Sequence, residues 1–84
     1  MTTAPNTRQS LADISQQRWA ILGDPALSAP HTRRLAELGL RAGARVFVLR
    51  KTVGGGRVIA LEHGRVALDH ATCRRIPVNA VTSQ

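Results

Sequence analysis

Apolar residues along this chain occur in short runs separated by glycine and proline, a pattern typical of short β-strands. The run Arg18–Leu22 carries Trp19 and Ile21 on one face and predicts a first strand, which the turn sequence Gly23-Asp24-Pro25 ends. Just before it, Leu11 to Ile14 predicts a short turn that brings its two end residues onto the core.

A short helix is predicted at about Pro30–Leu38. Ser28 is a suitable N-cap, and the proline lies close to the first helical position, where its missing N–H carries no penalty. Leu35 and Leu38 are three residues apart and share a helix face. Gly39 follows as the expected left-handed cap at the carboxyl end.

The second half of the chain predicts strands joined by tight turns. We expect strands at Ala44–Lys51, Arg57–Glu62, Arg65–Leu68 and Ile76–Val78, a loop at Gly54–Gly56, a hairpin turn at His63-Gly64, and one helical turn from Asp69 through Arg74. The fold is therefore predicted to be mainly β, a small barrel of about five short strands with one short helix and one helical turn. A closed barrel leaves no free sheet edge.

The length of 84 residues allows a single domain with a compact core. We expect residues 1–10 to be a disordered leader, residues 11–78 the domain, and residues 79–84 a flexible tail. Trp19 and Phe47 are the only aromatic residues and are expected to be buried. A domain this small has little room for a deep catalytic cleft, which argues against an enzyme.

Twelve basic residues against five acidic ones give a formal charge of +7. Such an excess favours acidic protein faces, nucleic acid or anionic membranes as partners. The basic residues are scattered, however, which is typical of a hydrated surface. Nucleic-acid binding stays an alternative, although no exposed aromatic platform is expected. The polar start and the lack of a long apolar run predict a cytoplasmic protein without direct membrane insertion.

One group of residues has metal-binding chemistry. His70 and Cys73 lie three apart on the predicted helical turn, with Asp69 next to them, and their side chains are ligands for Fe(II) or Zn(II). No cofactor is required by the pattern. The alternative is that Cys73 packs as a small apolar residue and that His70 faces solvent. A metal-binding or metal-sensing barrel is therefore a second hypothesis.

The segment Arg33–Arg50, which reads RRLAELGLRAGARVFVLR, resembles the FeoA family. That family has a leucine-rich helix running into Leu-Gly-Leu, then a glycine and a valine-rich strand followed by basic residues. The resemblance extends over about Leu11–Val78. It implies an SH3-like barrel, shared with the C-terminal domain of iron-dependent repressors. It also implies a cytosolic accessory protein that docks on FeoB, the membrane ferrous-iron transporter with a cytosolic GTPase domain.

Three residues depart from the family pattern. Ala42 and Arg57 stand where the family commonly has proline, and Asp69 stands where it often has arginine. We expect the first two to change loop stiffness, and the third to alter any docking surface near it.

The predicted docking site is the corner where the helix meets the following strand. Interface energy concentrates in a few buried anchors, while charges at the rim mainly tune the association rate. The alternative is that Leu35 and Leu38 are simply core residues. Leu40, just past the helix cap, is the better candidate for exposure and is expected to be the most exposed of the leucines. The predicted partner-binding residues are Arg33, Arg34, Leu35, Leu38, Leu40 and Arg41.

Overall fold

The computed structural model describes residues 9–82, which form one antiparallel sheet flanked by short helices. The predicted leader lies outside the described residues for positions 1–8. The elements are a 3-10 turn at Leu11–Asp13, β1 at Arg18–Leu22, α1 at Ala29–Glu37, β2 at Arg45–Lys51, β3 at Arg57–Leu61, β4 at Gly64–Leu68, α2 at His70–Arg74 and β5 at Val78–Thr82. The predicted mainly β fold with five short strands is confirmed.

Both ends of the domain extend further than the sequence predicts. The closing strand, predicted at Ile76–Val78, is instead β5 at Val78–Thr82, which pairs with β1. The predicted flexible tail is therefore wrong for residues 79–82, and positions 83–84 lie outside the described residues. At the other end, the leader prediction is wrong for Gln9 and Ser10. The Gln9 carbonyl accepts a hydrogen bond from the Val78 amide at 3.0 Å, and Ser10 caps the 3-10 turn.

The hairpin between β3 and β4 turns one residue earlier than predicted. Leu61 is opposite Gly64, so the turn residues are Glu62 and His63. Arg65 consequently pairs with Ala60 rather than with Glu62.

The core is aliphatic, as the composition predicts, and it uses alternate residues of β1, β2 and β3. Each fully buried aliphatic side chain stabilises the fold by about 1.5–3 kcal/mol relative to an exposed one. The buried set comprises Leu11, Ile14, Ala20, Leu22, Leu35, Leu40, Val46, Val48, Ile59, Leu68, Cys73, Ile76 and Val78. Trp19 and Phe47 are on the opposite side of their strands and are only half-buried, so the prediction that both are buried is wrong.

Helix α1 is fixed to the core by one residue and ends at a glycine. Leu35 is the buried residue of this helix. Gly39 adopts a φ of 101°, in the left-handed region that glycine enters without strain, as its predicted role as helix cap requires. The chain reverses there, and the Leu40 amide donates to the Leu35 carbonyl at 2.8 Å.

Arg57 is buried and joins the amino-terminal turn to the glycine loop. Its side chain is 4% exposed, and its guanidinium donates to the carbonyls of Ala12, Ile14, Gly55 and Gly56 at 2.7, 2.9, 2.7 and 3.1 Å. A buried guanidinium is stable only when such partners replace water. We call this arrangement the Arg57 clamp.

The order of strands in the sheet is β4-β3-β2-β1-β5, so β4 and β5 are edge strands. The sequence predicts a closed barrel without a free sheet edge. That prediction is wrong for residues 9–82, because β4 and β5 each have one unpaired edge. No helix in the described part of the chain is long and apolar enough to cross a bilayer.

Candidate protein-docking site

Of the three leucines predicted to form the docking site, only Leu38 is accessible. Leu38 is 46% exposed, whereas Leu35 is buried and Leu40 is fully buried. The prediction that Leu40 is the most exposed is wrong, because the reversal at Gly39 turns Leu40 back into the core. Leu38 is the last residue before that reversal and is left on the surface.

Arginines lie on both sides of Leu38. Arg34 is one helical turn before it and lines a groove with it, and Arg41 lines a second depression that also includes Leu38. Arg33 is exposed but lines neither depression. We call the patch formed by Arg34, Leu38 and Arg41 the Leu38 surface. An exposed leucine between arginines offers a partner an apolar contact with a basic rim.

The groove beside Leu38 lies between α1 and α2, with β4 along one side. Its volume is about 440 Å³. Its apolar lining residues include Leu27, Leu35, Leu38, Val66, Leu68 and Ala71, and its basic ones are His31, Arg34 and Arg75. Sequence reasoning missed His31, although the spacing of His31, Arg34 and Leu38 places all three on one helix face. It also missed Arg75 and Val66, which tertiary packing brings to this groove.

The predicted metal ligands do not face a common point. The Asp69 carboxylate caps α2 by accepting from the Thr72 amide at 2.8 Å. Hydrogen bonding from the Thr72 side chain, and then from its amide, lowers the pKa of Asp69. His70 is exposed, and its Nδ1 lies 3.2 Å from the Gly55 carbonyl. Cys73 is in the core. Within residues 9–82, no group of three or more His, Cys, Asp or Glu side chains is arranged to hold a metal ion.

The thiol of Cys73 is fully buried and lies 3.9 Å from the Leu68 carbonyl. Burial raises the pKa of this thiol, an effect that the nearby charge of Arg57 partly opposes. Because the thiolate is the nucleophile in disulfide exchange and alkylation, a buried thiol with a raised pKa is inert in the native state.

We therefore expect native Cys73 to react with a thiol-specific disulfide reagent only as fast as the domain opens, and to react at once in denaturant.

The raised pKa of Cys73 also predicts that the stability of the domain depends on pH. Stability is retained below about pH 8.5, the ordinary thiol pKa, and falls as the pH rises toward the folded value, because only the unfolded thiol then ionises readily. Urea midpoints against pH test this, and a Cys73→Ala variant should lose the alkaline decline. Rapid labelling of the native protein would contradict the burial of this thiol.

Trp19 and Phe47 form a packed pair on the outer face of the sheet. Their ring centroids are 5.0 Å apart with an angle of 57° between the planes. The guanidinium of Arg45 lies 4.2 Å from the Trp19 ring centroid, a cation–π distance. An open base-stacking platform needs a free ring face. Arg45 occupies one face of Trp19, so the pair is poorly suited to that role.

For nucleic acid, we expect only weak, salt-sensitive attraction. A single-stranded oligonucleotide should bind at low salt because of the +7 charge and should dissociate at physiological salt, since counterion release dominates such binding. Trp19 fluorescence should be unchanged throughout. Binding that persists at physiological salt and quenches Trp19 would instead support the nucleic-acid hypothesis.

The five-stranded antiparallel sheet, with α1 after the first strand and α2 before the last, defines a small domain of the SH3-like β-barrel class. A family model for the FeoA domain matches residues 11–80. The chain belongs to the FeoA domain family. The resemblance seen in the segment Arg33–Arg50 is thus confirmed.

Solved structures agree with this assignment. Stenotrophomonas maltophilia FeoA, solved with zinc and described as a prokaryotic SH3 domain protein and candidate ferrous iron transport activating factor, has a TM-score of 0.73 and 25% identity over 88% of this chain and 95% of that one. The FeoA protein of Chlorobium tepidum has a TM-score of 0.77 and 24% identity over 84% of this chain and 69% of that one.

A manganese-dependent transcriptional repressor shares the fold as well, with a TM-score of 0.78 and 20% identity over 94% of this chain. The chain spans 43% of the length of that repressor. At this identity the likeness shows the fold alone. A search of curated proteins found no match.

Proposed function

We propose that the chain is a non-enzymatic accessory protein of bacterial ferrous iron transport, which docks on the cytosolic GTPase domain of FeoB and modulates the transporter. Two findings support a role in ferrous iron transport. The chain belongs to the FeoA family, and the S. maltophilia relative is described as a candidate activating factor of ferrous iron transport. The observation that carries the docking role is the Leu38 surface. It exposes a large aliphatic side chain between two arginines, whereas most large aliphatic side chains of the domain are buried in the core.

Such a protein acts by binding a partner and not by catalysis. Two of its reactive groups are already engaged in the fold. Its one thiol is buried, and the Asp69 carboxylate is engaged in capping α2. A protein of this kind acts at the inner face of the membrane through its partner. Leu38 would supply apolar contact, and Arg34 and Arg41 would steer an acidic surface of the partner into place.

Uptake of ferrous iron by cells tests the proposed pathway. Cells that lack this protein should accumulate labelled Fe(II) more slowly than the parent strain, and expression of the chain should restore the rate. Uptake of Mn(II) should be the same in both strains and serves as the control. Equal Fe(II) uptake with and without the protein would contradict the proposed function.

A further inference from the structure

The free edge of β4 borders the groove beside Leu38. Because the turn has two residues, Leu61 and Gly64 form a hydrogen-bonded pair. Successive residues of β4 therefore point their backbone N–H and C=O groups alternately toward β3 and away from it. Val66 and Leu68 then bond to β3, whereas the N–H and C=O groups of Arg65 and Ala67 point outward. Within residues 9–82, no hydrogen bond from another element reaches these outward groups. The edge is therefore a free template for another strand.

The groove can accept apolar side chains from a strand placed at that edge. Val66 and Leu68 come from β4 itself, Leu35 and Leu38 come from α1, and Ala71 comes from α2. Leu38 and Ala71 are exposed and Val66 is half-buried, so apolar surface remains to be covered. An added strand places alternate side chains on the two faces of the sheet. One of those two sets would enter the groove.

The charge of the groove selects the partner. His31, Arg34 and Arg75 line it, and no acidic side chain of the described residues does. An occupant with carboxylates beside its apolar residues would complement these groups. Nucleic acid would also meet the charge, but it offers neither a backbone that pairs with β4 nor aliphatic side chains for the groove.

We propose that this groove binds an extended acidic segment of a protein partner, which adds a strand to the edge of β4 and places an apolar side chain between α1 and α2. Strand addition gives affinity through main-chain hydrogen bonds and specificity through pockets for alternate side chains. The choice of a protein as the occupant rests on the proposed function. It specifies how the partner is recognised at this site.

Titration of the isotopically labelled chain with a synthetic peptide in which Asp or Glu alternates with Leu or Val tests the proposal. We expect saturable binding at physiological salt, with amide shifts and slowed hydrogen exchange at Arg65 and Ala67. A peptide with Lys in place of the acidic residues should not bind. Equal binding of the two peptides, or shifts that spare β4, would overturn the proposal. A single-stranded oligonucleotide that displaces the peptide at physiological salt would assign the groove to nucleic acid and overturn it too.

A proline variant isolates the role of the backbone. Ala67→Pro removes an outward N–H and leaves the β3–β4 ladder intact, since proline is tolerated where the N–H of an edge strand faces solvent. We expect it to weaken peptide binding about three- to tenfold, whereas Ala67→Val, which keeps the N–H, should bind more tightly than the proline variant. Equal affinities of the proline variant and the parent would contradict strand addition. The exchange measurement on the parent protein gives the same answer if the proline variant does not fold.

The same variants separate this proposal from the proposed function. If the GTPase domain of FeoB binds Ala67→Pro and the parent equally well but binds Leu38→Asp poorly, docking on FeoB is right and strand addition is wrong. If the acidic peptide binds as described while the GTPase domain does not bind the chain, the groove is right and its partner is another protein.

Discussion

Replacement of Arg57 by methionine is expected to destabilise the domain by about 3–5 kcal/mol, because it leaves several carbonyls without a donor in a buried site. The four acceptors belong to Ala12, Ile14, Gly55 and Gly56. A domain of this size has a total stability of about 5–15 kcal/mol. The variant should therefore be at the margin of folding. The urea midpoint, followed by far-ultraviolet circular dichroism, measures the loss.

Two variants show whether the clamp itself is responsible. Arg57→Lys keeps the charge but not the planar fork that reaches several carbonyls, so we expect an intermediate loss. Arg50→Met removes an exposed arginine of β2 and should change the stability by less than about 0.5 kcal/mol. If Arg57→Met is as stable as Arg50→Met, the clamp does not hold the amino-terminal turn to the glycine loop.

Replacement of Leu38 by aspartate is expected to weaken binding to the FeoB GTPase domain by at least about 2 kcal/mol, or about thirtyfold, as for the central residue of an interface. The substitution removes an apolar anchor and neutralises part of the charge of Arg34 and Arg41. Because Leu38 is 46% exposed, the fold should be little affected. Titration calorimetry measures the affinity, and the thermal midpoint checks the fold.

The chain offers matched controls for Leu38. Val53 is a fully exposed aliphatic residue outside the Leu38 surface, so Val53→Asp should bind like the parent. Leu35→Ala should instead lose about 2–5 kcal/mol of stability, because Leu35 is buried. Equal affinities for the Leu38→Asp and Val53→Asp variants would exclude the Leu38 surface as the docking site.

Local sequence patterns were sufficient for the order of elements. Period-two runs predict strands, and glycine and proline delimit the helix. Ser28 is at the predicted N-cap position, but its side chain makes no capping hydrogen bond. The sequence predictions were wrong where they concern which side chains face the core, because that depends on how the elements pack in the folded domain. Alternation in Arg18–Leu22 indicates two faces, but the neighbours of Ala20 across the sheet, Val46 and Val81, decide that Ala20, and not Trp19, faces inward.

The candidate site shows the same limit. The sequence predicts a docking site in the segment around Leu38, yet it predicts the relative exposure of Leu38 and Leu40 wrongly, because the reversal at Gly39 determines which leucine enters the core. Ala71 and Arg75 of the groove lie more than 30 residues from Leu38 and meet it only in the folded chain. The Arg57 clamp was also missed. Nothing in the neighbourhood of Arg57 indicates that Ala12 and Ile14 supply carbonyls to it.

The most direct test of the central claim is a titration of this protein against FeoB from the same genome, both as the soluble GTPase domain and as the full transporter in nanodiscs, with GDP and with a GTP analogue. We expect saturable binding at physiological salt, and a preference for one nucleotide if docking is regulatory. Absence of binding to both forms of FeoB in both nucleotide states would contradict the account.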